Sequence, residues 1–219
     1  MKSDNITEII RLASILSVLL PLVLYLIRMK TTSRTVHKIG GVIVLSAVSD
    51  ALGFYFFKGG QSTVFLFNTY YLALFFFLAW FYSGILTTRA GRNTVMTGLL
   101  GYILSFILVT AFVQGYDEYQ TFMWTITGLI IIIFSISYFL SVFSAQLPME
   151  NYGLLWINSG ILFYFSFNLF LFVMSSYVLT QLAPELSMLI WSFHNVNNII
   201  KNLLLALGIS LFRRDYVVA

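Results

Sequence analysis

SFHNVNNIIKNLLLALGISLF (192–212) has the length and the apolar second half of a membrane helix, yet its first half carries His194, Asn195, Asn197, Asn198, Lys201 and Asn202. Reading it as a span or not decides the parity of the chain, and so whether the two termini share a side. On a helical wheel of about 100° per residue, Trp191, His194, Asn195, Asn198, Lys201, Asn202 and Leu205 fall within an arc of about 120°. Asn197 lies just off that arc. Ile199, Leu203, Ala206 and Leu207 form the opposite face. Polar groups on a membrane helix turn toward the bundle interior and find partners there. The stretch is therefore read as a span with an inward polar stripe.

The rest of the chain sets the context. Of its 219 residues, 59% are hydrophobic and only 9% charged, against about 25% charged in a soluble domain. That composition belongs to the membrane class. A core of ~30 Å takes about 20 residues of helix. Seven runs meet that length, at 9–27, 39–57, 63–86, 94–113, 122–143, 152–176 and 186–212. They are continuous rather than alternating, which argues against a barrel. The first run lacks a small-residue cleavage site and is read as a retained helix. The separators are too short for a further domain. The expectation is an all-α polytopic membrane protein, with residues 1–219 forming one seven-helix domain.

Orientation follows from the basic residues. One side collects Arg28, Lys30, Arg34, Lys38, Arg89, Arg92, Arg213 and Arg214, and the other only Lys2, Arg11 and Lys58. By the positive-inside rule the first side is cytoplasmic. The N-terminus is then outside and the C-terminus inside. Because the positive charge sits in loops between apolar runs, it signals topology and not a nucleic-acid partner. His37, in a basic loop, reads as a headgroup contact.

Lys201 needs a partner more than the asparagines do. An asparagine ladder serves to glue helices, whereas a lysine at mid-bilayer costs at least ~2.5–3.5 kcal/mol on insertion scales. Asp50, in VLSAVSDALGF, is the acidic residue deep in another run. It lies twelve residues from Lys38, and Lys201 lies twelve from Arg213. Both therefore stand about 18 Å above the basic belt. His194 stands about 28 Å above it, near the level of Asn68 in the third run. His194, Asn195, Asn198, Lys201, Asn202, Asp50, Asn68 and Trp191 are the candidate lining of a polar cavity opening outward. Ser46, Ser49, Tyr70, Tyr71, Ser159, Ser166 and Asn168 are secondary candidates, because serine often bonds its own backbone and tyrosine often marks the headgroup level.

No cysteine is present, which excludes disulfides and thiolate chemistry. Nucleophile elbows, phosphate loops and zinc helices are absent too. No metal site, cofactor or catalytic set is expected. The inner half of the last run is too apolar for a channel, and no repeat or broken mid-span helix suggests a transporter. Lys201 and Asp50 bring retinal binding to mind. The carboxylate, however, sits in the second run, and the third, FNTYYLALFFFLAW, has none.

The segment WSFHNVNNIIKNLLLALGI, with the seven-run layout, resembles the closing helix of bacterial seven-helix membrane sensory modules fused to or paired with histidine kinases. The resemblance covers about a tenth of the chain and brings no catalytic residue. It implies a protein of the bacterial cytoplasmic membrane. Such a protein would read a small ligand or proton in the outward cavity and signal to a cytoplasmic partner such as a histidine kinase. That partner would dock on 28–38, 89–92 and the tail. The alternatives are a membrane enzyme acting on a lipid or isoprenoid, with His194 and Asp50 as acid and base, and a structural membrane subunit.

Overall fold

The computed structural model describes residues 2–30, 32–144 and 152–212. Arg213, Arg214 and the tail after them lie outside the described residues. The described chain is helical and carries no strand. Its elements are α1 (Lys2–Ser17), α2 (Leu19–Arg28), α3 (Arg34–Lys58), α4 (Val64–Ile85), α5 (Arg89–Phe112), α6 (Thr121–Phe143), α7 (Tyr152–Thr180) and α8 (Pro184–Leu211). Among the described residues, six helices are long and apolar enough to cross a membrane: α1 and α2 taken together over Ile6–Arg28, then α3, α4, α5, α6 and α7. The chain is an integral membrane protein of the all-α class. α8 has the length but is not among the six, because its polar first half lowers its hydropathy.

Local chemistry sets the helix ends. Ser33 accepts from the Val36 N–H and starts α3 five residues earlier than the apolar run suggests. Gly40 and Gly41 therefore lie inside the helix, not at its end. A side chain at Gly40 would run into the Tyr25 ring, 2.3 Å from its Cζ, so the glycine is what lets α2 close on α3. Tyr25 then reaches His37 Nδ1 at 3.1 Å, so His37 is engaged within the bundle rather than left for a headgroup. At the other end of α3, Gly60 adopts φ +63°. Gln61 N–H donates to the Phe56 carbonyl and Gly60 N–H to that of Phe57, the bond pair that closes a helix through a left-handed glycine. Thr88 caps α5 by accepting from the Gly91 N–H at 3.0 Å.

The helices close a ring. The α1–α2 pair packs on α3 and on α8, α3 packs on α4, α4 on α6, α6 on α7, and α7 on α8. α5 lies outside, against α4 and α6. Phe75, Phe81, Phe134, Phe165 and Phe172 fill the interior. Phe112, Phe170 and Ile27 stand on an outer surface that is apolar all round, as lipid contact requires. The tightest crossing joins α7 to α8. A Cβ on Gly208 would meet the Gly153 carbonyl at 2.7 Å, and one on Gly153 would meet the Gly208 carbonyl at 2.6 Å. Small residues here let two backbones touch, which is the main packing device of membrane helices.

A second polar knot lies between α4, α6 and α7. Tyr82 donates to Asn158 Oδ1 at 2.8 Å and meets Ser135 Oγ, while Asn158 Nδ2 donates to the Ser135 carbonyl at 3.1 Å. These groups are fully buried and mutually satisfied, so they tie the three helices without needing water.

Gly208→Leu is expected to separate α7 from α8 and to cost at least about 1–3 kcal/mol from overpacking. Gly101 has open space where its Cβ would go. Gly101→Ala should be neutral or stabilising by about 0.5–1 kcal/mol through helix entropy. Unfolding midpoints of the two variants in detergent should move in opposite directions.

Candidate functional site

The polar stripe of α8 splits into two flanks that bond in different directions. Toward α1, Asn198 Nδ2 donates to Ser14 Oγ at 3.0 Å and Asn202 Nδ2 to Ser17 Oγ at 2.7 Å. Toward α7, Asn197 Nδ2 donates to Asn168 Oδ1 at 3.3 Å, and His194 Nδ1 lies 3.2 Å from the same oxygen. Asn168 spends its own Nδ2 on the Tyr164 carbonyl at 2.8 Å. Its Oδ1 can therefore only accept, and the His194 contact requires a proton on Nδ1. Asn195 is partly buried and makes no side-chain hydrogen bond among the described residues.

Lys201 sits between these flanks and is buried. Its Nζ lies over the Tyr164 ring, 4.5 Å from the centroid, where the ring's negative face attracts a cation. Asp50 interacts with it electrostatically from α3, without a direct ion pair. α3 and α8 do not pack extensively on each other, and the two charges interact through the bundle interior. Phenols share this field. Tyr70, bonded to Ser46 Oγ at 3.2 Å, feels the Asp50 charge, and the Tyr71 and Tyr164 hydroxyls interact with each other. His194 also lies in the field of Lys201.

Aromatic rings close the group on the far side. Tyr71 stacks on Trp124 at 4.9 Å, and Phe172 meets both Tyr71 and His194 edge-on. Trp191 meets His194 at 5.4 Å. The indole N–H groups of Trp124 and Trp191 are buried with no acceptor among the described residues. Such orphaned donors each represent unspent hydrogen-bonding capacity.

The structure thus brings His194, Asn197, Lys201, Trp191 and Asp50 around Tyr71 and Tyr164. It turns Asn198 and Asn202 away, toward α1. Asn68 is committed elsewhere: its Nδ2 donates to the carbonyls of Tyr116 and Glu118 at 3.1 and 2.7 Å, and its Oδ1 accepts from the Gln120 N–H at 3.0 Å. It clasps the α5–α6 loop, and the depth match with His194 carried no contact. None of these residues lines either of two clefts in the bundle. One cleft of the bundle lies between α5 and α6, lined by Thr97, Gly98, Gly101 and Ile133, and another near Ser62, Phe65 and Asp117. Asn197 bonds Asn168, and Asn198 and Asn202 bond serines, so these three amides are engaged within the bundle. Of the secondary candidates, Ser159 bonds its own backbone and Ser166 is exposed, while Ser46, Tyr70, Tyr71 and Asn168 belong to the group. Tyr164, Trp124 and Phe172 carried no signal in the sequence beyond being aromatic.

Comparison with protein-family models, with curated proteins and with solved structures finds no match for this chain. The functional reading rests on the geometry.

If Asp50 and Lys201 support each other across the bundle, Asp50→Asn and Lys201→Met should each lower the unfolding midpoint. The double variant should lose less than the sum, by a coupling of about 0.5–3 kcal/mol. Simple additivity in that cycle would mean that the two charges are independent.

Proposed function

We propose that this chain is a membrane sensory protein that reads a proton or a small hydrogen-bond-accepting ligand at the group around Lys201 and passes the change to a cytoplasmic partner. One observation carries the reading: a buried ammonium rests on the Tyr164 ring while its counter-charge, Asp50, is held out of contact. A methionine would fill the same volume without the cost of burying charge. The lysine therefore adds something that packing does not need, namely a charge whose partner can change. The unspent indole donors of Trp191, beside His194, and of Trp124, stacked on Tyr71, support an accepting ligand. Lys201, His194 and Asp50 are three titratable groups in one field, which supports a proton.

In this reading α8 crosses the membrane as a seventh span, with the N-terminus outside and the C-terminus in the cytoplasm. Its support is the exposed basic residues Lys30, Arg34, Arg89 and Arg92 at one end of the bundle. That end is also where a partner such as a histidine kinase would dock in a bacterial cytoplasmic membrane, as the resemblance of the closing helix implies.

Two measurements test this. In lipid nanodiscs, the tryptophan emission of Trp124 and Trp191 should change with pH or with an added ligand from a metabolite panel. Lys201→Met should abolish that change, and His194→Ala should alter it. A response identical in wild type and Lys201→Met would reject the site. Topology is accessible because the chain has no cysteine of its own. Glu185→Cys should react with an impermeant maleimide on intact cells, and Ser210→Cys only after permeabilisation. Equal access at both ends of α8 would reject the seventh span.

A further inference from the structure

We infer that α8 braces the kink in the first span, and that this brace transmits the state of the Lys201 group to the end of that span at Arg28. The inference rests on the sensory reading above and adds the moving part. The helix of the first span is interrupted between α1 and α2 at Val18, which itself keeps helical dihedrals (φ −65°, ψ −23°). The cause is Pro21, which has no N–H to give the Ser17 carbonyl and whose ring crowds it. Such a kink is the point in a membrane helix where bending is least opposed.

α8 holds the span on both sides of that point. Before the kink, Asn198 and Asn202 donate to Ser14 and Ser17, and Ser17 Oγ in turn donates to the Ser14 carbonyl at 2.6 Å. After it, Arg28 Nη1 donates to the Ile209 carbonyl at 3.0 Å, near the end of α8. α8 itself is unbroken between these attachments. A continuous helix fixed to both arms of a bend sets the bend angle. Changing the angle breaks a bond at one end or the other.

Lys201 belongs to the same turn. It lies three residues after Asn198 and one before Asn202, but faces Tyr164 on α7. The backbones are close here too, since a Cβ on Gly160 would lie 3.3 Å from the Lys201 carbonyl. A shift of Lys201 against Tyr164 therefore moves the helix turn that carries both amides. The serines, and with them the arm before the kink, follow. Each link is a hydrogen bond or a direct ring contact, so the path from charge to hinge is short and physical rather than a chain of spatial neighbours.

Electron-electron distance measurements in nanodiscs test the brace. Cysteine pairs for spin labels are placed at Ile9 and Phe112, and at Ile27 and Met96, all exposed on the lipid face. They report each arm of the first span against α5. Lys201→Met should shift or split at least one of the two distance distributions. Ser14→Ala/Ser17→Ala, which removes the same bonds with little loss of volume, should do so as well, and adding Lys201→Met to it should change nothing further. Distances unaltered by Lys201→Met, or a Lys201→Met shift that survives intact in the serine double variant, would overturn the brace. If the emission response is present but the arms do not move, the brace fails and the sensing group stands. If the emission response is absent, the sensory reading fails, and the serine variant alone still shows whether α8 sets the kink.

Discussion

A positive charge buried in an apolar helical bundle is the constraint on which the rest of this structure depends. Left unpaired, an ammonium in hydrocarbon costs several kcal/mol at least. Lys201 is accommodated by a ring face at 4.5 Å and by the field of the Asp50 carboxylate on α3. The first of these demands close placement of α7 and α8. The glycines at 153, 160 and 208 supply it, since they let the two backbones approach to where the Tyr164 ring meets Lys201. The packing of the tightest helix pair and the housing of the charge are one problem with one answer.

The amides around the lysine divide the labour of α8. Those facing α1 end on serine hydroxyls, and the one facing α7, Asn197, shares a single carbonyl oxygen of Asn168 with His194. A helix bonded on both flanks cannot rotate without exchanging partners. That makes α8 a poor lipid-facing helix and a good connector. It also explains why its hydropathy is lower than that of the six apolar helices: the polar side chains meet protein, not lipid.

Two of the buried polar groups among the described residues differ in kind. Tyr82, Ser135 and Asn158 bond one another directly, and such a network stiffens the helices it joins. The group around Lys201 is not closed. It holds a charge pair out of contact and two indole donors without acceptors among the described residues. Low-dielectric surroundings make both features sensitive to any added charge or acceptor. One group fixes the bundle and the other leaves it something to respond with.

The sequence alone determined the helical class, the membrane setting, the positions of the apolar runs to within a few residues, and the fact that the polar half of the last helix must turn inward. Those follow from hydropathy and helical period, which are local quantities. It also pointed to Asp50 and Lys201 through depth, because rise per residue is fixed. Only the tertiary structure decided which polar residues meet. Asn68 and His194 share a level, yet Asn68 closes a loop. Asn198 and Lys201 share a stripe, yet they face different helices. Asn197, off the stripe by the wheel, is buried at its centre, and Tyr164 and Trp124 looked like any other rings. Depth along a helix is written in the chain. Azimuth relative to neighbouring helices is set by how all of them pack, and a partner is defined by both.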